Sequence, residues 1–292
     1  MRLLIILLLL PLYTFSSQSD DQETIDIIKA YDKEQQRLYP TTIRYALNAH
    51  AQPYGIIIEG EIKNGDYEKF YELIKKGKGK LSSIWLRSNG GDAIEAMKIG
   101  KLVRQLKLST NAPDGVPSHS KCTLHKPAND DDCTCASSCF LIFAGGVNRN
   151  GTVLGIHRVY QKHDDLRKMS LKNAEDNAKS IKKQVDNYLS DMGIVASIRE
   201  RVFSISSKQI EFLNNEDVKK YLSGNIPEID EWIIAKCGDV KAIEKELKLE
   251  QSKVYPSKKG SKISAQLDKA LFCSMDALES EQGIEYQKYF KP

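Results

Sequence analysis

Two adjacent serines, Ser137 and Ser138, stand where an apolar run begins in Cys135-Ala-Ser-Ser-Cys-Phe-Leu-Ile-Phe-Ala-Gly-Gly146. A serine at the start of a buried helix feels the partial positive charge of the helix N-terminus. Leu154-Gly-Ile-His157 follows, a short β-branched stretch that delivers a histidine. An imidazole next to a serine hydroxyl can take its proton and make it a nucleophile. Upstream, Ser88-Asn-Gly-Gly-Asp92 leaves backbone N–H groups uncovered, as an oxyanion site requires. Each feature also has a plain structural use. A serine caps a helix, a histidine ends a strand, and paired glycines make a tight turn.

The elements around these residues read as alternating strands and helices. Tyr54 to Ile62 is rich in isoleucine and predicts a buried strand. Asp66 is expected to cap a helix carrying Phe70, Leu73 and Ile74, ended by Gly77 and Gly79. Ser83 to Arg87 is the next strand, the Gly-Gly turn follows, and an amphipathic helix runs from Ala93 to about Lys107. Phe140 to Ala144 reads as a buried helix closed by Gly145-Gly146, then a short Asn/Arg/Gly turn, then a strand from Thr152 to Ile156. A long helix bearing Leu171, Ala174, Ala178, Ile181, Val185, Leu189 and Met192 on one face has a core or partner role, core by default. Ile194 to Phe203 and Phe212 to Tyr221 are further helices. The order predicts an α/β fold.

Four regions follow from texture, the third with an insertion. Residues 1–17 resemble a signal peptide, with Arg2 and a leucine-rich run too short for a comfortable span. Residues 18–45 are a helical lead-in, 46–225 the main domain with an insertion at 111–134, and 226–292 a helical appendage without assigned chemistry. Periplasmic or secreted localisation is expected, with no stable membrane span once the leader is cleaved. The net charge of +4 is spread along the chain without a basic–aromatic cluster, so nucleic acid is not an expected partner. Export makes disulfides the expected use of the six cysteines. Cys122 is expected to close a loop with Cys133 or Cys135, and Cys237 to pair with Cys273. Zinc held by Cys122, Cys133, Cys135 and His125 is the rival, although the spacing fits no paired-CxxC site. Asp130 to Asp132 lack the spacing of a calcium loop. No metal or cofactor is expected.

Taken together, Ile-Trp-Leu-Arg-Ser-Asn-Gly-Gly-Asp, the Cys-Ala-Ser-Ser-Cys segment and Gly-Ile-His-Arg resemble the Clp protease proteolytic subunit within the crotonase-like superfamily, over about residues 50 to 224. The resemblance is closest to exported bacterial proteins of that type. It implies a spiral of βαβ units with a small helical C-terminal appendage. It also implies a serine peptidase acting on peptide or protein, and a possible homo-oligomer. Ser137 fits the nucleophile, with Ser138 its rival, and His157 fits the general base. Gly91 and Ser138 would supply the oxyanion N–H groups.

The sequence departs from this pattern. The family's acid is expected just before Phe212-Leu213, where Gln209 and Ile210 stand. Glu211 is the nearest carboxylate, and Asp217 is a second candidate. The turn reads Ser-Asn-Gly-Gly rather than Ser-Pro-Gly-Gly. An exported serine hydrolase is therefore weighed against a catalytically inactive binding or assembly protein on the same fold. A crotonase-type acyl-CoA enzyme is a third reading, disfavoured by export.

Overall fold

The computed structural model describes residues 43–48, 50–115, 133–160, 167–252 and 258–291. The expected leader, the lead-in before residue 43, and most of the insertion, with Cys122, His125 and Asp130 to Asp132, lie outside them.

The end of the expected helical lead-in is a strand instead. Strand β1 (Ile43–Leu47) pairs antiparallel with β2 (Pro53–Ile62), with Tyr45 opposite Ile56. Ile43 and Ala46 are buried by this pairing, and the Tyr45 hydroxyl reaches the Leu73 carbonyl at 3.0 Å. The helical spacing of Ile25, Ile28 and Tyr31 lies outside the described residues. In β2, Ile56, Ile57 and Ile58 are each at most 1% exposed, the mark of a strand covered on both faces.

Helix α1 (Asp66–Lys76) follows, burying Phe70 and Ile74. Asp66 is its first residue rather than its cap, because Gly65 takes the preceding position at φ 89°. The Asp66 carboxylate turns back to accept from the Lys63 N–H at 2.7 Å. The free N–H groups of Gly65 and Tyr67 are met by Glu95, from helix α2 (Ala93–Gln105). Burial opposes ionisation of Glu95, but Lys98 and these two N–H groups outweigh it and hold its carboxyl below the usual range.

Strand β3 (Ser83–Gly91) runs past its expected end at Arg87 and through the Gly-Gly turn, with Gly91 in register with Ile62. It pairs with β2 along one edge. Its other edge forks. Ser83 to Trp85 pair with β4 (Ser109–Asn111), and Ser88 pairs with β5 (Cys135–Ala136). Helix α3 (Ser138–Gly145) follows β5, with all eight residues buried, so its apolar run needs no polar face. The Asn/Arg/Gly segment expected as a turn contains strand β6 (Asn148–Asn150), parallel to β4. Strand β7 (Leu154–Ile156) lies parallel to β5.

Helices α4 (Leu171–Asp191) and α5 (Ala196–Ser204) lead to β8 (Glu211–Phe212), antiparallel to β7. Helix α6 (Asn215–Tyr221) and β9 (Gly224–Asn225), antiparallel to β6, complete a nine-stranded mixed sheet. The fold is α/β, as expected. Helix α4 departs from the core expectation along its first half. Leu171 is 79% exposed, and only Val185, Tyr188, Leu189 and Met192 at the far end are buried.

Arg104 and Arg149 clamp the rear of α3, donating to the carbonyls of Ala144, Gly145 and Gly146. Burial, aided by the neighbouring Arg104 charge, pushes the Arg149 guanidinium down to about 9. Helix α7 (Pro227–Cys237) is tied to α9 (Lys258–Phe290) by the expected Cys237–Cys273 disulfide, with α8 (Val240–Gln251) alongside. The last turns of α9 return to the main core. Tyr286 is 5% exposed and donates to the Lys75 carbonyl at 2.6 Å.

Candidate functional site

The register of three parallel strands assembles the site. Ser88 of β3 lies beside Cys135 of β5, and Ala136 of β5 lies beside Gly155 of β7. Counting on, Gly90 falls beside Ser137, and Ser137 falls one residue short of His157 on a neighbouring strand. The Ser137 N–H donates to the Gly155 carbonyl at 2.9 Å, which fixes this alignment. Adjacent strands run about 4.8 Å apart, so the hydroxyl and the imidazole emerge at the same sheet end.

Ser137 is held at φ 57° and ψ −123°, in the left-handed half of backbone space. Such a conformation costs a non-glycine residue about 1–3 kcal/mol and persists only where its surroundings enforce it. A Cβ on Gly90, itself at φ 101°, would lie 2.6 Å from the Ser137 Cβ and 2.9 Å from its Oγ. Gly90 is therefore the residue that lets β3 pass beneath the serine. The sequence reading singled out Gly91 and missed Gly90. The signal was present, since both belong to one Gly-Gly pair.

The two serines separate by what their hydroxyls do. Ser138 is 3% exposed and its Oγ donates to the Gly91 carbonyl at 2.9 Å. Ser137 makes no capping bond to α3, so its hydroxyl is not occupied as a helix cap. It opens into a cavity of about 620 Å³ that Gly91, Ser138 and His157 also line.

His157 follows β7 and is 8% exposed. Its Nδ1 lies 2.8 Å from the Arg158 carbonyl oxygen. A carbonyl only accepts, so Nδ1 carries a proton, and in the neutral imidazole the lone pair is on Nε2. This is the tautomer a general base needs.

The expected acid is elsewhere. Glu211 pairs with Ile156 across β7 and β8, but its carboxylate binds Arg201, whose Nε donates at 3.0 Å. Asp217, the second candidate, takes the Nη1 of the same arginine at 2.6 Å. The bond to Glu211 is the leading reason that the Arg201 guanidinium is raised. The structure thus brings Ser137, Ser138, Gly91 and His157 together and leaves Glu211 with a different partner.

Cys135 and Cys139 form a disulfide across the serine turn, with Cα atoms 5.2 Å apart and both residues fully buried. The alternative pairing of Cys135 with Cys122 is thereby corrected. The turn at Ser137, between β5 and α3, brings Cys139 back to Cys135. Cys133 is also disulfide-bonded, and the expected Cys122 end lies outside the described residues. Zinc on Cys133 and Cys135 is overturned on the same ground, because a disulfide sulfur offers no thiolate. Among the described residues no group of three or more His, Cys, Asp or Glu could hold a metal ion, and no helix is long and apolar enough to cross a membrane.

No protein-family model matches the chain, and no curated protein matches it. Among solved structures, a mutant of the 1510-N membrane-bound stomatin-specific protease is 18% identical, with a TM-score of 0.37, covering 62% of this chain and 83% of that one. A mutant of ClpP1 from Listeria monocytogenes is 13% identical, with a TM-score of 0.39, covering 57% and 85%. The ClpP protease catalytic domain from Plasmodium falciparum is 14% identical, with a TM-score of 0.34, covering 56% and 79%. This chain is similar to these ClpP-like proteases.

Proposed function

We propose that the chain is an exported serine hydrolase, a peptidase, with Ser137 as nucleophile and His157 as general base. The observation that carries this reading is the Ser137 turn. A strained serine whose hydroxyl makes no helix-capping bond shares a cavity with a histidine whose Nδ1 is held by a backbone carbonyl. In the reaction Ser137 Oγ attacks the substrate carbonyl carbon as its proton passes to His157 Nε2. Charge develops on the carbonyl oxygen, and the N–H groups of Gly91 and Ser138 are assigned to receive it. The imidazolium then gives its proton to the departing amine, and water hydrolyses the acyl-serine by the same steps. The Arg158 carbonyl orients the imidazole without the full charge of a carboxylate, so slow turnover is expected.

The reading is tested by labelling the mature, oxidised protein with a fluorophosphonate. Labelling lost in Ser137→Ala and retained in Ser138→Ala supports it. The second reading is an inactive binding or assembly protein. It is favoured by Glu211 being held on Arg201, and absence of labelling in a folded protein would select it. Export rests on the leader-like residues 1–17 and on the disulfides. Recovery of uncleaved protein from the cytosol would count against it.

A further inference from the structure

The Ser137 cavity continues beyond its own walls. Val159 and Tyr160 line it and also line a second cavity of about 680 Å³. The continuation runs between the segment after His157, the exposed first half of α4, and α5. Its apolar floor is Ala174, Ala178 and Phe203. Its rim carries Arg158, Lys179, Lys182 and Lys208, and among the described residues no carboxylate lines it. All four cations are exposed, and none is in an ion pair with the described residues. Neighbouring arginines differ. Arg199 is paired with Asp186, and Arg201 with Glu211 and Asp217. The Ser137 cavity itself carries both signs, with Glu61, Asp92 and Lys168 in its lining.

We infer that this extension is a substrate subsite for acidic peptide segments, taking Asp or Glu side chains flanked by small apolar ones. The inference builds on the peptidase reading, because it uses the cavity's continuity with Ser137 to identify the ligand as substrate. Four exposed cations with no ion pair among the described residues, over an apolar floor, favour an anion carried on a partly apolar chain. Alanines at 174 and 178 keep the α4 wall low, which leaves room for an extended strand.

The test uses the mature chain carrying Ser137→Ala and fluorescein-labelled peptides of one length, read by anisotropy. One peptide carries Glu among Ala and Val, one carries Gln in place of Glu, and one carries Lys. The Glu peptide is expected to bind about tenfold more tightly than the Gln peptide at low salt, converging as salt rises. Lys179→Glu with Lys182→Glu should abolish that preference, and Lys248→Glu, on α8, should keep it. Circular dichroism confirms that each variant is folded. Equal binding of the Glu and Gln peptides, a preference that survives the double variant, or no binding of any peptide overturns the inference. So does an oligonucleotide of equal charge binding as tightly as the Glu peptide. Failure of fluorophosphonate labelling in the unsubstituted protein, with the Glu preference intact, would sink the hydrolase and leave an acidic-peptide site standing.

Discussion

At Ser137 the backbone itself carries information, because a β-carbon at φ 57° is tolerated only if its neighbour gives way. Gly90 is that neighbour. Gly90→Ala puts a methyl 2.6 Å from the Ser137 Cβ and strains a residue at φ 101°. A loss of about 2–4 kcal/mol in urea unfolding is expected, together with loss of fluorophosphonate labelling. Full labelling in a stable Gly90→Ala protein would show that the turn is not what presents the hydroxyl. Glu95 gives the residue scale a pH dependence. Its folded carboxyl titrates below its unfolded one, so between the two values the unfolded chain holds more protons. The stabilisation is fully present above the unfolded value and is lost as pH falls through the folded one. Glu95→Gln should therefore flatten the acid side of a stability–pH profile, and an unchanged acid limb would contradict this.

Among the elements, α3 is fixed at both ends. Its front is tied by the Cys135–Cys139 disulfide and its rear by Arg104 and Arg149. Tyr188 of α4 braces its middle, donating to the Leu141 carbonyl at 2.6 Å. The disulfide brackets Ser137 symmetrically, two residues before it and two after, so it limits how far the turn can relax. Replacing both cysteines with alanine is expected to slow labelling roughly tenfold or more. The unfolding midpoint reports whether the fold persists, and unchanged labelling kinetics would mean that strand register alone positions the serine. Register does contribute, since the Ser137 N–H is bonded to Gly155 independently of the cysteines. The helical run at 140–144 was legible as buried because it has no polar side. The role of Tyr188 was not, because its partner, the Leu141 carbonyl, lies 47 positions away in the chain.

For the whole molecule, the C-terminal helices are bound in two ways. Cys237–Cys273 joins α7 to α9, and Ile243, Ile263 and Ala270 form a small separate core. The far end of α9 instead enters the main core through Tyr286, while Gln282 donates to the Lys107 carbonyl at 2.8 Å. Tyr286→Ala removes a buried ring and the shorter of two hydrogen bonds to the Lys75 carbonyl. A loss of about 3–5 kcal/mol in urea unfolding is expected. A change below about 1 kcal/mol would mean that α9 is merely tethered rather than part of the core. The appendage expected from texture thus contributes residues to the domain that precedes it.

What the sequence determined by itself is local. Isoleucines 56 to 58, the Gly-Gly pair, the serines before an apolar run and the histidine after a short strand all act within a few residues. Their chemistry is set by side-chain type and spacing, and it led to Ser137 and His157 as a candidate pair. Tertiary structure decided what depends on distant partners. Strand register chose Gly90 as the residue beneath Ser137, and the turn at Ser137 brought Cys139 to Cys135. Arg201 took Glu211 from ten positions away, leaving the Arg158 carbonyl on His157. The physical reason is that a hydrogen bond or ion pair goes to whichever group the fold brings within about 3 Å, and chain separation does not encode that distance.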